Sequence, residues 1–212
     1  MKPSKNKNNK GKFLILLGIS LLLIGAAIPV KVYFKNRAQK EEAVKLEEQI
    51  LSKKPREKSA EPAEGADTGD AITYDNALGV IRIDKIDVVL PVFDNTNKKT
   101  LLLGVGVVDT TDLPSTKRNT LTVLAGHRGS GRGLDYFLHI GKLEPGDEIK
   151  ITTRKEILHY RVVGEEVVEP NDWSRFIREE DKTKLYLMSC HPYPKNNKRL
   201  LVKADLVKYT EL

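Results

Sequence analysis

Short apolar clusters separated by turn residues fill the chain from about residue 78 onward. The clusters lie near residues 80–90, 101–108, 120–125, 148–153, 157–168, 184–189 and 199–206. Pro, Gly, Asn and Asp separate them, as in Pro145-Gly146-Asp147. Many short strands at close spacing are typical of a β-barrel or a β-sandwich. We therefore predict a mostly β domain over residues 76–212, with little helix beyond a turn near residues 134–140.

An apolar run dominates the N-terminal part of the chain. Residues 13–30 carry no charged side chain, and the run extends to Phe34 if the Lys31 ammonium group reaches water. A helix that crosses a membrane needs about 20 apolar residues. The sequence thus predicts a cytoplasmic tail over residues 1–12 and a transmembrane anchor over 13–34. A cleaved signal peptide is the alternative, but its apolar part is usually only about 7–15 residues long.

The segment between the apolar run and the β domain is polar. Residues 35–60 are dominated by Lys, Glu, Ala and Gln, which predicts a helical stalk that Pro55 ends or bends. Residues 59–71 are small and acidic, so they cannot bury much surface. We assign residues 35–75 to a helical stalk and a flexible linker.

The basic character of the chain raises the question of nucleic-acid binding. The formal net charge is +7, and much of the excess lies on both sides of the apolar run. Lysines around an apolar run are more simply explained as membrane flanks, and we expect no nucleic-acid partner. The very short N-terminus favours a single-pass protein with its N-terminus inside the cell and the β domain outside.

The single cysteine, Cys190, is the first candidate for chemistry. It ends the apolar cluster over residues 184–190, and Pro192 and Pro194 follow at once. A side chain at a strand end beside a loop can be both positioned and reached. A buried inert thiol is the alternative, and it would more naturally lie in the middle of a strand. We predict that Cys190 is a nucleophile.

A thiol nucleophile needs a base or a cationic partner, and four histidines are available. His191 adjoins Cys190, but neighbours on a strand point to opposite faces. His159 lies in a polar-apolar alternation, and His139 lies in a short helical turn. His127 follows an apolar strand and opens a glycine-rich loop, which leaves room around its ring. Alone it is as easily structural as catalytic, but paired with the cysteine it is the favoured base.

An arginine completes the predicted constellation. Arg199 opens the strand that follows Cys190, so a hairpin would bring the two side chains to one cleft. A guanidinium group there can stabilise negative charge on an acyl oxygen. The alternative is an ordinary solvated arginine. The glycine-rich loop lacks the Lys-Ser/Thr ending of a phosphate-binding loop, which argues against a nucleotide site.

These segments resemble the sortases of Gram-positive bacteria. The resemblance rests on LAGHRG around His127, LYLMSCHPY around Cys190 and RLLV at Arg199, in that order. The segments IRIDKIDVVLPVF and LLLGVGVV are similar to the opening strands of that family, and the likeness covers residues 78–208. It implies an all-β catalytic domain, an eight-stranded barrel with one or two short helices.

The resemblance also implies an activity, that of a cysteine transpeptidase for sorting signals of the LPxTG type. Cys190 would attack the threonine carbonyl and form a thioester, so that the signal is cut between Thr and Gly. His127 would protonate the leaving amine and later deprotonate the incoming one. Arg199 would hold the substrate and stabilise the oxyanion.

Further residues are assigned to the substrate through the same resemblance. Ala125 and Met188 match positions that line the sorting-signal groove of class A sortases. Trp173 lies in a segment similar to the start of the loop over the signal. Ser189 keeps a hydroxyl at the position before the cysteine and is included among the substrate-binding residues.

The resemblance also bears on the amine acceptor and on the class of sortase. The resemblance implies an amino group as acceptor, on a cell-wall precursor such as lipid II or on a pilin lysine. A single N-terminal anchor favours class A, whereas GHRG and CHPY look like pilus-building class C sortases. We expect no cofactor, and no calcium site because Asp112 is the only plausible acidic ligand. A cysteine hydrolase and a non-catalytic, membrane-tethered binding module are the alternatives.

Overall fold

The computed structural model describes residues 7–52, 73–129 and 135–212. Helix α1 spans Lys7–Leu51 and helix α2 spans Lys98–Leu103. Short 3₁₀ turns lie at Tyr74–Asn76, Asp84–Ile86 and Ile140–Lys142. The described part of the chain contains the strands β1 (Gly79–Ile83), β2 (Val88–Phe93), β3 (Val105–Val107), β4 (Thr120–Ala125), β5 (Glu148–Thr153), β6 (Glu156–Val168), β7 (Thr183–His191) and β8 (Lys198–Glu211).

The strands close into a barrel in the order β1-β2-β3-β4-β7-β8-β6-β5. The β2–β3 and β4–β7 pairs are parallel, and the other pairs are antiparallel. Closure leaves no unpaired strand edge. The predicted eight-stranded, mostly β barrel is therefore confirmed.

Strand β7 shows how the core is built. Leu185 and Leu187 are fully buried and belong to the main cluster of apolar side chains, with residues of all the other strands. Tyr186 and Met188, which alternate with them, belong to a second cluster. We call this second set the outer cluster; it comprises Val108, Leu121, Val123, Val168, Tyr186 and Leu201, with Ala125, Phe176 and Met188 packed at its margin. Both faces of β7 are covered, which explains its nearly continuous apolar sequence.

One predicted strand is partly a helix. Residues 101–103 were expected to open a strand that runs to Val108, but they form the end of α2, and β3 begins only at Val105. The Asn97 side chain accepts a hydrogen bond from the Thr100 N–H (2.8 Å) and so caps α2. The turn expected near residues 134–140 is partly seen, as the 3₁₀ turn at Ile140–Lys142; residues 130–134 lie outside the described ranges.

The chain divides into two compact units, Met1–Ala38 and Gln39–Leu212. The second unit includes the last residues of α1, which the sequence assigns to a stalk. Ala43 and Leu46 are buried there in a cluster with Val80, Val89 and Phe93. The apolar residues of this segment recur at helical spacing, which gives α1 one face that can pack on strands β1 and β2. The predicted linker over residues 59–71 lies outside the described residues.

Helix α1 also covers the residues predicted to cross a membrane. In the described ranges, no helix meets the length and apolarity that a membrane span requires. The anchor over residues 13–34 therefore stays a prediction.

Candidate active site

Cys190 lies one residue before the end of β7, and β8 begins at Lys198. In the antiparallel register of the two strands, Cys190 is directly opposite Arg199. Residues directly opposite each other project to the same face, with Cβ atoms about 4.5–5.5 Å apart. Both residues are partly exposed. The hairpin thus places a thiol and a guanidinium group side by side at the edge of the barrel.

His127 approaches Cys190 from the other side of β7, and we call His127, Cys190 and Arg199 the row. Strands β4 and β7 are parallel, with Ala125 next to Met188. The Gly126 N–H donates to the Met188 carbonyl oxygen (3.1 Å), so the pairing continues beyond the end of β4. His127 lies one residue beyond this bond, in the loop that follows β4. Of the residues predicted from sequence, Cys190 and Arg199 are therefore paired on neighbouring strands, and His127 follows the strand on the other side of β7.

The main chain at His127 is in contact with buried residues of the core. The Phe137 N–H donates to the His127 carbonyl oxygen (2.8 Å). A Cβ atom on Gly126 would come within 2.8 Å of the Phe137 ring and 3.0 Å of the Val105 side chain. Phe137 and Val105 are both fully buried. Only glycine fits before His127, because the main chain passes directly over the core at this point.

The electrostatic setting differs along the row. Burial lowers the pKa of His127 below its ordinary value, so the imidazole is mainly neutral at pH 7. The Arg199 Nη1 donates to the carbonyl oxygens of Lys198 (2.9 Å) and Asn196 (3.4 Å). These two contacts hold the guanidinium group at the start of β8. The row can therefore offer a thiol, a neutral base and a fixed positive charge.

An apolar strip leads along the barrel surface to Cys190. We define it as Met188 and Ala125 together with Phe176 and Trp173, which lie around the buried Tyr186 ring. The Phe176 ring makes edge contacts with Trp173 (5.4 Å between centroids) and with Tyr186 (6.4 Å). Trp173 is about half exposed, at 53%. Of the strip, the sequence analysis names Ala125, Met188 and Trp173, but it misses Phe176, which connects Trp173 to β7.

Ser189 does not share this face. It is buried, at 3% exposure, and it alternates with Met188 and Cys190 along β7. The structure thus places its side chain on the opposite side of the strand from the apolar strip. The contact of Ser189 with substrate stays a prediction, and the side chain lies toward the barrel interior.

Two more residues adjoin Cys190. The Arg128 Nη1 lies 2.6 Å from the His191 Nδ1 and donates to the Cys190 carbonyl oxygen (3.3 Å). The sequence analysis treats Arg128 only as part of a loop. Its place directly after the candidate base is the signal that could have drawn attention to it.

The remaining candidates lie in other contacts. His159 Nδ1 is 2.5 Å from the Glu148 carboxylate, on the β5–β6 pair. The Asp112 carboxylate accepts hydrogen bonds from Arg178 Nε (2.8 Å) and from the Leu121 N–H (2.8 Å). Among the described residues, no three acidic, His or Cys side chains are grouped as metal ligands would be.

Comparison with known proteins gives a consistent result. The Sortase domain model matches residues 81–207. Sortase D of Bacillus subtilis (strain 168) is 27% identical over 183 residues, which cover 82% of this chain and 89% of that protein. Sortase A of Bacillus anthracis is 27% identical over 208 residues, which cover 94% of this chain and 97% of that protein.

Solved structures agree with these relatives. Sortase A from Corynebacterium diphtheriae matches with a TM-score of 0.60 and 32% identity, over 62% of this chain and 61% of that one. Sortase C-1 from Actinomyces oris matches with a TM-score of 0.60 and 31% identity, over 63% of this chain and 75% of that one. The relatives carry the names of classes A, C and D, so they do not single out one class. Because the family model covers more than half of the chain, from β1 to β8 and across the His127, Cys190 and Arg199 row, this protein belongs to the sortase family.

Proposed function

We propose that the protein is a cysteine transpeptidase that cleaves an LPxTG-type sorting signal between Thr and Gly and transfers the new carboxyl end to an amino group of a cell-wall precursor such as lipid II. The observation that carries the proposal is the pairing of Cys190 with Arg199 across β7 and β8, with His127 two residues beyond the end of β4, the other neighbour of β7. A nucleophile, a base and an oxyanion-binding cation are the groups that acyl transfer through a thioester requires.

The proposed reaction has two halves. The Cys190 thiol gives its proton to His127 as the sulfur attacks the threonine carbonyl carbon, and the Thr–Gly C–N bond breaks as His127 passes that proton to the leaving amine, which leaves a thioester. The acceptor amine then attacks the thioester and gives a proton to His127, the C–S bond breaks, and His127 returns the proton to the Cys190 sulfur. The Arg199 guanidinium group stabilises the oxyanion in both halves. No net oxidation or reduction occurs.

The apolar strip supplies a surface for the signal peptide. Met188 precedes Cys190 on the same face of β7, and Ala125 lies beside it. Trp173 flanks this surface through its contact with Phe176. The Leu and Pro side chains of an LPxTG signal are apolar, so their burial on the strip would hold the threonine carbonyl near the thiol.

For localisation, we propose a single-pass membrane protein with its N-terminus inside and its catalytic domain outside the cell. The support is the charge-free run over residues 13–30, in which Phe13, Leu16 and Leu22 are exposed on the helix. Membrane fractionation of the full chain, with detection by protease accessibility on intact cells, tests this. Recovery in the soluble fraction would contradict it.

Mass spectrometry with a labelled LPxTG peptide and an added amine tests the activity. Because Cys190 is the single cysteine, one covalent adduct per chain identifies the nucleophile without ambiguity. We expect Cys190→Ala to abolish peptide cleavage while leaving the thermal unfolding midpoint nearly unchanged. Transfer to water alone would indicate a hydrolase, binding without turnover by the native chain would indicate a binding module, and full activity of Cys190→Ala would refute the mechanism.

A second candidate is a sortase that joins pilin subunits. The solved structure of Streptococcus pneumoniae sortase C, whose title refers to pilin substrate specificity, matches with a TM-score of 0.61 and 25% identity over 88% of this chain and 97% of that one. Competition between a pilin peptide with a lysine side chain and a cell-wall peptide amine separates the two candidates. Preference for the lysine would favour pilus assembly.

A further inference from the structure

The point where β4 leaves β7 carries an unusual contact. Along β7, the Met188 carbonyl oxygen accepts a hydrogen bond from the Gly126 N–H (3.1 Å). The next carbonyl on the same side of the strand belongs to Cys190, because carbonyl directions repeat every second residue. That carbonyl accepts from the Arg128 guanidinium group (3.3 Å). A side chain therefore continues the ladder beyond the last backbone bond between the two strands.

The same guanidinium group also holds the residue after the nucleophile. Arg128 Nη1 lies 2.6 Å from His191 Nδ1. Because guanidinium nitrogens only donate, His191 must accept at Nδ1, which requires a neutral imidazole with its proton on Nε2. Burial lowers the pKa of His191 and the positive charge of Arg128 lowers it further, in agreement with a neutral ring. Arg128 thus fixes both the backbone of Cys190 and the ring beside it.

The surroundings limit where the guanidinium group can go. Arg128 is partly buried, and its Nε is shielded from water without a hydrogen bond in the described part of the chain. Burial lowers the pKa of Arg128, and the electrostatic effect of Glu165 and Cys190 offsets part of that decrease. The Arg128 Nη2 and a Glu165 carboxylate oxygen would lie 3.8 and 4.0 Å from a Cβ atom on Gly141. The side chain therefore lies near β6 and the 3₁₀ turn at Ile140–Lys142.

We propose that Arg128 is a positioning residue that sets the distance between the base and the nucleophile. It is adjacent to His127 in sequence and bonded to the Cys190 carbonyl oxygen in space, so one side chain ties together the two segments that carry the reacting groups. His191 lies on the face opposite Cys190, and Arg128 therefore acts from behind the reacting atoms. This role rests on the proposed transpeptidase function, because it concerns the geometry of that reaction.

Steady-state kinetics of Arg128→Met and Arg128→Lys test the role. Misplacing reacting groups by about 1 Å can cost about 100-fold in rate, so Arg128→Met should lower kcat at least about ten-fold. The KM for the signal peptide should change by less than about two-fold, because Arg128 does not line the apolar strip. Arg128→Lys keeps one donor and should recover part of kcat. Arg154→Met is the matched control, since Arg154 also donates to a backbone carbonyl, that of Asp75 (3.2 Å), at the other end of β6.

A second measurement needs no peptide substrate. Hydrogen exchange followed by mass spectrometry should show faster exchange over residues 189–193 in Arg128→Met than in the native chain or in Arg154→Met. Unchanged exchange would overturn the proposal, and so would a kcat within two-fold of the native value. If the native chain turned over no sorting peptide, the proposed function would fail, and faster exchange in Arg128→Met would then show only that Arg128 holds the backbone around Cys190.

Discussion

At the scale of single residues, burial keeps the His127 imidazole mainly neutral. The imidazole is partly buried next to the core, and its pKa is lowered. In the proposed mechanism, a neutral imidazole accepts the proton of the Cys190 thiol and passes it to the leaving amine. Protonation of His127 at low pH would therefore remove the base.

We predict that His127 titrates below about pH 6.5, the ordinary histidine value. Protonation is harder in the folded than in the unfolded chain, so stability is lost as pH falls from 6.5 toward the folded pKa and is unaffected above 6.5. Urea unfolding at pH 7.5 and 5.5 should show a smaller loss for His127→Gln than for the native chain. His159→Gln, on an exposed carboxylate contact, is the control, and an equal loss for native and His127→Gln chains would contradict the prediction.

Gly126 packs closely against the core directly before His127. We predict that Gly126→Ala costs about 1–3 kcal/mol of stability, because the added methyl group overpacks against the buried Phe137 and Val105. Peptide turnover should fall as His127 is displaced. Gly164→Ala is the matched control, since a Cβ atom there meets nothing within 4 Å. Chemical denaturation measures both, and equal stabilities would show that the core yields.

At the scale of elements, the end of α1 is attached to the barrel through a buried carboxylate. Glu47 is 3% exposed. Its carboxylate accepts from Arg82 Nε (3.0 Å), Thr152 Oγ1 (3.0 Å) and Lys150 Nζ (3.0 Å). Burial alone would raise the pKa of Glu47, but the hydrogen bonds from Arg82 and Lys150 keep it below its ordinary value. The contacts join α1 to β1 and β5.

Removing this carboxylate should loosen the helix. We predict that Glu47→Ala costs about 1–3 kcal/mol, because Arg82, Lys150 and Thr152 lose their shared acceptor. The loss should stay in that range because Arg82 and Lys150 are about a quarter exposed and can turn to water. Glu42→Ala, which breaks an exposed pair with Lys45 on the same helix, should change stability by less than about 0.5 kcal/mol. Similar losses for the two variants in urea unfolding would contradict the prediction.

At the scale of the whole molecule, the compact unit Gln39–Leu212 should fold alone. We predict that a chain beginning at Gln39 keeps the unfolding midpoint of the catalytic unit and its peptide turnover. A chain beginning at Thr73 lacks the helix that covers Val80, Val89 and Phe93, so it should melt more than about 5 °C lower and bind an apolar dye. Calorimetry and dye fluorescence measure these effects, and equal midpoints for the two chains would show that α1 adds nothing to the fold.

Most strands and the candidate reacting residues could be predicted without the fold. Alternating and continuous apolar runs are local signals, so most strands, including the one that ends after Cys190, could be predicted. The candidate residues His127, Cys190 and Arg199 were found because each adjoins a strand end. The same reasoning failed at residues 101–103, where the cap by Asn97 outweighs the apolar pattern.

Which residues lie opposite each other on neighbouring strands depends on the folded barrel. The parallel β4–β7 pairing, the burial of Glu47 against strands far along the chain, the face of Ser189 and the contact of Arg128 with the Cys190 carbonyl depend on residues distant in sequence. A linear pattern records the period of each strand but not its neighbour or register. For that reason the candidate reacting groups could be predicted from the sequence, whereas the residues that contact them became known only from the barrel.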